Sequence, residues 1–393
     1  MHYDLVFEGG GAKGIVFVGA LQELFERGHT VGRLIGTSAG AITATLLAAG
    51  YRSQDILAAV NEKLPDGRPR FASFMDIPAE FDRRTIQNSL IYHIFNAVDL
   101  PFVPQQLEER IDKTLMDAML KLPVYRQLFS FVERGGLFAG DAFLQWLKEK
   151  LNADGRNLGS ATLEEFNRKT GVHLSVIASD TTGEEMLVLN HHTAPGVPII
   201  WAVRMSMSIP FLWQEVRWDP NWGRYRTRNI AGHTVVDGGV LSNFPIDLLL
   251  SGDEEVKKLM GSEPGSDNVL GLLIDESQPV PGVSAEKQPV DEEAARDLES
   301  RASIVLQRIT SLINTMTNAR DNLAMETYKE FICHLPAKGY GTTEFDMPED
   351  KIQKLIAAGR AAMKDYLNRQ NIPGRKGRPG RKGRSGRSGR SNP

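Results

Sequence analysis

Between Arg33 and Arg52 the chain runs eighteen residues, Leu34 to Tyr51, without a charged side chain. A segment of that kind belongs inside a membrane or inside a folded core. Its sequence, LIGTSAGAITATLLAAG up to Gly50, decides between them. A spanning helix needs about 20 predominantly apolar residues. Here Thr37, Ser38, Thr43 and Thr45 interrupt the run, although Gly36 and Gly40 match the spacing of a helix-pairing motif. A buried helix accounts for Ala41 to Ala49, with Gly50 as its stop, but not for two glycines flanking Ser38. A serine set on a sharp strand-to-helix turn accounts for both. In G-x-S-x-G the small neighbours let the backbone bend tightly, and the hydroxyl stands exposed at a helix N-terminus, where the helix dipole favours developing negative charge.

The residues before this turn supply a second one. Leu5 to Phe7 read as a short strand, followed at once by Gly9, Gly10 and Gly11. From Lys13 onward, Ile15, Val18, Leu21 and Phe25 recur at helical spacing, with Gly28 as a C-cap. Leu34 and Ile35 form a second strand. A strand-turn-helix unit repeated twice implies an α/β fold with a mainly parallel central sheet flanked by helices. Gly9, Gly11 and Gly14 satisfy G-x-G-x-x-G, but a dinucleotide site also needs an acid at the end of the second strand. That strand ends in the serine turn instead, and no Gly-Lys-Ser/Thr completes a phosphate loop. The glycines fit an oxyanion hole better: without side chains, backbone N–H groups can face a substrate oxygen.

Three segments together, FEGGGAKGIVFVGALQEL, IGTSAGAITA and VVDGGVLSNFP, resemble the patatin-like phospholipase family. The resemblance covers residues 5–50 and 172–275, including AVRMSMSIPFLWQEV, in which Ser208 stands where alanine is commoner. It implies the family's three-layer fold and a catalytic domain over residues 1–275. It also implies a Ser-Asp dyad of Ser38 and Asp237 that cleaves carboxylic esters of phospholipids or lysophospholipids. Gly36 and Gly40 then form the nucleophile turn, and Gly9, Gly10, Gly11 and Lys13 the oxyanion side. No cofactor is implied, and the partner is a lipid or membrane-surface substrate. An aspartate is a poor base for a serine, with an ordinary pKa near ~3.9, so the scheme leans on the oxyanion donors. Read alone, Asp237-Gly238 is a hairpin signal, with Asn243 and Pro245 shaping the same loop.

Other readings of the same residues remain open here. An α/β-hydrolase triad would need a histidine after the acid, and His334 alone follows Asp237. Acyl transfer to another alcohol, or lipid binding without turnover, would use the same pocket. His191 and His192 stand side by side, but no third ligand is evident in the linear sequence, so a surface loop is expected rather than a metal site.

The remainder is less specific. Residues 64–140 read as a helical insertion. Its apolar stretch at 89–104 suits either a lid over an acyl channel or the core of that insertion. Strands are expected over Val172–Asp180, Glu185–Asn190 and Asn268–Asp275, then a polar, proline-containing connection over Glu276–Pro289. A C-terminal helical region is expected over 290–370, with helices over Asp291–Glu330 and Pro348–Leu367 packing on the catalytic domain. Residues 374–393 form a basic Gly/Arg-rich tail that cannot bury a core and is expected to be disordered. Without its eight Lys and Arg, the body has 38 basic against 49 acidic residues, so no nucleic-acid partner is expected for it. The tail itself offers attraction to an anionic surface. The single cysteine, Cys333, permits no internal disulfide and fits a reducing compartment. No signal-peptide pattern opens the sequence, so a cytoplasmic location, peripheral to membranes, is expected. The sequence leaves the oligomeric state open.

Overall fold

The computed structural model describes residues 1–96, 116, 118–261, 265–266, 268–283, 311 and 323–370. Its strands are β1 (His2–Phe7), β2 (Thr30–Thr37), β3 (Gly136–Phe138), β4 (Leu174–Asp180), β5 (Glu185–Leu189), β6 (Phe211–Trp213), β7 (Val216–Arg217), β8 (Thr234–Asp237), β9 (Asn268–Pro279) and β10 (Ile332–Lys338). The main sheet runs β10-β9-β1-β2-β4-β8-β7, with β5 also paired to β4. From β10 to β4 every pairing is parallel. The pairings of β5, β7 and β8 are antiparallel. The α/β class and the mainly parallel sheet expected from the sequence are therefore present. The central strands are buried on both faces: Leu5, Val6, Phe7, Leu34, Ile35, Val176 and Ile177 are all fully inaccessible, as parallel strands covered by helices require.

Helix α1 (Val16–Glu26) follows the glycine turn, α2 (Ala39–Ala48) follows Ser38, and α3 (Ser53–Val60) follows α2. Helix α2 is buried almost all round, which is why its sequence carries no charge. A long helix, Glu349–Gln370, lies against α1. It buries Leu355, Met363 and Leu367, and its Arg360 pairs with Glu23 and Glu26.

Three features depart from what the sequence signals on its own. ICHLPAK, which contains His334, is the edge strand β10, parallel to β9. Its Pro336 is tolerated because an edge strand can do without one N–H. The Asp237-Gly238 step does not turn a hairpin; β8 ends there and passes into a 3₁₀ turn, Gly238–Val240. Strand β9 also continues to Pro279, into what was expected to be a connection.

Within residues 64–140, the described parts build a small separate core of Ile86, Met116, Leu120 and Phe129, joined by Phe81, Ile91 and Tyr92. Within the apolar stretch at 89–104, Leu90 and Ile94 are exposed, and residues 97–104 lie outside the described residues. So do 291–310, 312–322 and the basic tail. Among the described residues no helix is long and apolar enough to cross a membrane. Cys333 is buried in β10, and burial pushes its thiol up to about 12, which leaves it unreactive.

Candidate active site

Register along β4 brings the two motif residues together. Ile177 of β4 pairs with Thr37, and its neighbour Ala178 pairs with Asp237. The opposite edge of β4 is occupied by β5 from Val176 to Asp180. Strands β2 and β8 therefore meet end to end along one edge of β4, and Ser38, one residue beyond Thr37, stands beside Asp237.

Ser38 adopts φ 51°, ψ −120°, a conformation that costs an L-residue about 1–3 kcal/mol and persists only when its surroundings impose it. Its surroundings do so at several points. A Cβ on Gly36 would lie 2.3 Å from the Gly40 carbonyl oxygen, and one on Gly40 would lie 2.4 Å from the Phe7 carbonyl oxygen. The turn is thus closed by direct backbone contact between β1, β2 and α2. The Ser38 N–H donates to Ser206 Oγ at 2.9 Å, which ties the strained residue to the helix Ile199–Ser206. Ser38→Gly is expected to raise stability over Ser38→Ala by about 1–3 kcal/mol, because glycine adopts this conformation without cost. Urea unfolding of the two variants checks this.

Asp237 is 4% exposed. Its Oδ1 accepts the Gly239 N–H at 2.7 Å. Its Oδ2 is buried and, among the described residues, has no hydrogen bond of good geometry. The Ser38 hydroxyl is close enough to favour the ionised carboxylate, though less strongly than the Gly239 amide does. Burial outweighs both and pushes the carboxyl up to about 7. The carboxyl is thus held above the ordinary aspartate value from which the sequence reading started.

The glycine turn faces the same cavity as Ser38 and Asp237, with Gly9, Gly10, Gly11 and Lys13 in its wall. The Gly9 N–H, however, donates to the Asn243 carbonyl at 3.1 Å. This corrects its assignment as an oxyanion donor: the amide is spent on joining the glycine turn to the loop after Asp237. Asn243 Nδ2 reinforces that join by donating to the Gly9 carbonyl at 2.8 Å and to Glu8 Oε1 at 3.2 Å. The Gly10 and Gly11 amides, among the described residues, donate no backbone hydrogen bond outside their own turn. Gly11 has φ +54°, and a Cβ there would strike the Thr342 carbonyl. Lys13 is buried, and its Nζ is ion-paired with Glu276, so its charge anchors β9 over the glycine turn.

Two cavities meet at Ser38. One is polar and holds Asp237, the glycine turn, Asn243 and Glu276. The other is apolar and is lined by Ala39, Ile42 and Leu46 of α2 and by Ile56, Phe71, Phe74 and Trp146. Ser38, Gly11 and Ile209 border both.

A match to the family model for patatin-like phospholipases extends over residues 5–250. The chain belongs to that family. Its relatives include YqhO of Bacillus subtilis, 29% identical over 376 residues, which are 94% of this chain and 99% of that protein. They also include the probable lipid hydrolase 463L of Invertebrate iridescent virus 6, 24% identical over 63% of this chain and 62% of its own length. Among solved structures, VipD from Legionella pneumophila is 19% identical, with a TM-score of 0.45, over 94% of this chain and 67% of its own. The family is one of phospholipases, so the chain is a member of a lipid-hydrolase family.

In this patatin-like chain the neighbour of Ser38 is Asp237 and not His334. The latter lies on β10, three strands from β2. Its Nδ1 is held by Asp275 Oδ2 at 3.0 Å, and that contact keeps the Asp275 carboxyl well below the usual range.

Supporting residues escaped the sequence reading. Ser206 is one and buried Glu8 is another. Arg204 is a third: it is 2% exposed, and burial lowers its guanidinium to about 10. It donates to Ser208 Oγ, to the Ala139 carbonyl at 2.7 Å and to the Gln214 carbonyl at 3.1 Å. The Ser208 carbonyl in turn accepts the Asp237 N–H at 2.9 Å. Arg204→Met is expected to cost about 3 kcal/mol or more, because the buried Ser208 Oγ and the part-buried Ala139 and Gln214 carbonyls lose their donor. A reduced urea midpoint with an unchanged slope checks it.

Proposed function

We propose that the chain is a lipid acyl hydrolase that cleaves carboxylic ester bonds of phospholipids or lysophospholipids through Ser38 and Asp237. The observation that carries the reading is a hydroxyl held on a strained turn beside a carboxylate tuned near neutrality, at the junction of a polar and an apolar cavity. The Ser38 oxygen attacks the ester carbonyl carbon while its proton passes to the Asp237 carboxylate. The carbonyl oxygen becomes an oxyanion facing the Gly10 and Gly11 amides, and the N-terminus of α2 adds its partial positive charge. Collapse breaks the bond to the alcohol, which leaves with the proton from Asp237. Water then attacks the acyl-Ser38 ester, giving its proton to Asp237. The fatty acid departs, and the proton returns to the Ser38 oxygen.

The apolar cavity suits the acyl chain, and the polar one suits the head-group side of the ester. The test is labelling by a fluorophosphonate probe, together with product analysis on mixed phospholipids, lysophospholipids and triglycerides. Labelling and fatty-acid release by the wild type, both absent in Ser38→Ala, are expected. An unlabelled wild type would favour a lipid-binding module, and acyl esters of an added alcohol in place of fatty acid would favour a transferase.

A further inference from the structure

At the far end of β4 the fold assembles a cluster that linear spacing conceals. His173 immediately precedes β4, and its carbonyl accepts the Leu34 N–H at 2.9 Å. His191 and His192 follow β5, which is antiparallel to β4, so the turn after β5 arrives beside the start of β4. One nitrogen from each of the three imidazoles lies within 4.8 Å of the other two. The rings of His173 and His191 are 5.1 Å apart between centroids, and those of His191 and His192 are 3.8 Å apart.

The turn that carries two of them is rigidly built. Asn190, 2% exposed, accepts the His192 and Thr193 N–H groups at 2.9 and 3.0 Å. It donates to Ser175 Oγ and the Leu259 carbonyl at 3.1 and 2.9 Å. The ring of His192 rests on the backbone of Gly261, where a Cβ would lie 2.2 Å from its Nε2.

We propose that His173, His191 and His192 bind one transition-metal ion of the zinc class. Three neutral imidazoles are the donor set that zinc, cobalt and nickel prefer and that magnesium and calcium do not. Zinc–nitrogen bonds of about 2.0–2.1 Å place tetrahedral ligands roughly 3.3 Å apart, so small ring rotations close the cluster. His192 is exposed and His173 and His191 are half-buried, which leaves the fourth position to water. The site lies about 15 Å along β4 from Asp237, at ~3.3 Å per residue. Its role is therefore to clamp the β4–β5 ends together, not to take part in ester cleavage.

The experiment uses the full chain, freed of metal with a chelator, and titrates Zn²⁺, Co²⁺ or Mg²⁺ alone. One Zn²⁺ per chain by calorimetry, visible Co²⁺ bands of a four-coordinate site, and a melting temperature raised by Zn²⁺ but not by Mg²⁺ are expected. His192→Gln, at an exposed position, should weaken Zn²⁺ binding at least ~100-fold, since even supporting residues of metal sites cost 10–100-fold. His173→Gln should do the same. Metal-free His192→Gln should hydrolyse a soluble ester as fast as metal-free wild type. Absence of binding, Mg²⁺ acting as well as Zn²⁺, or undiminished Zn²⁺ binding in His192→Gln would overturn the site. Slower hydrolysis by His192→Gln would overturn the clamp role.

Discussion

Asp237→Asn is expected to reduce ester hydrolysis by about 10³-fold or more while making the protein more stable. The loss follows from removing the group proposed to accept the serine proton, a contribution of about 10²–10⁴-fold for a positioned base. The gain follows from burial. The folded protein holds the Asp237 proton up to about pH 7, whereas the unfolded chain releases it near the ordinary aspartate value of 3.8. Between those two pH values the native state binds more protons than the unfolded one, so stability falls as pH rises through the window. Above it the wild type carries a penalty of roughly 4 kcal/mol, about three pH units at ~1.4 kcal/mol each. Asparagine has nothing to ionise there, can still accept the Gly239 amide, and removes the penalty. The melting temperatures of wild type and Asp237→Asn should be close at pH 4 and diverge by pH 8, with the variant higher. The kcat/KM of the wild type should fall tenfold per pH unit below about pH 7, as the carboxylate takes up its proton. A variant that melts lower at pH 8, or a rate flat between pH 5 and 8, would defeat the assignment of this carboxylate as the base.

That coupling of a destabilised residue to the chemistry was not visible in the chain's spelling, although the residue was. Ser38 could be read because its signal is local: a strand, two glycines and a helix follow one another within a few residues. Asp237 could be singled out by its motif, yet read alone its loop signals a hairpin that the fold does not make. Asp-Gly favours a hairpin in isolation, but Gly238 lies so close to β4 that a Cβ there would be 2.4 Å from the Ile177 carbonyl oxygen. Packing on the neighbouring strand overrides the turn preference. The glycine turn was legible as a turn, but not which of its amides is spent, because the partner of Gly9 is a carbonyl at Asn243. Ser206, Glu8 and Arg204 carry no pattern of their own; they act because the sheet brings distant segments together. The same holds for His173, eighteen residues before His191 in sequence and beside it across one antiparallel pair. Strand β10 was missed because seven residues with a central proline look like a loop until β9 supplies the edge.

Ile42→Trp is expected to turn the enzyme against long acyl chains while sparing short ones. Ala39, Ile42, Thr43 and Leu46 face the apolar cavity from one side of α2, and Leu46 lies about 12 Å along the helix from Ser38 at ~1.5 Å per residue. On the proposed reading the acyl chain begins at the nucleophile and follows α2 inward. Ile42 is one turn from Ser38, so an indole there closes the path just beyond the first few carbons. Each methylene kept in water instead of the channel forfeits about 0.8 kcal/mol. Denying four of them costs roughly 3 kcal/mol, or more than 100-fold in kcat/KM. A butyryl ester ends before the obstruction and should be hydrolysed within a fewfold of the wild-type rate, and labelling of Ser38 by a small fluorophosphonate should persist. Comparing kcat/KM for butyryl and palmitoyl esters of one alcohol measures the effect as a ratio, which cancels any general loss of active protein. Equal losses on both substrates would mean that the indole has distorted the serine turn. No loss on either would mean that the acyl chain leaves Ser38 by another route, and the polar cavity beside Asp237 would then have to accommodate it.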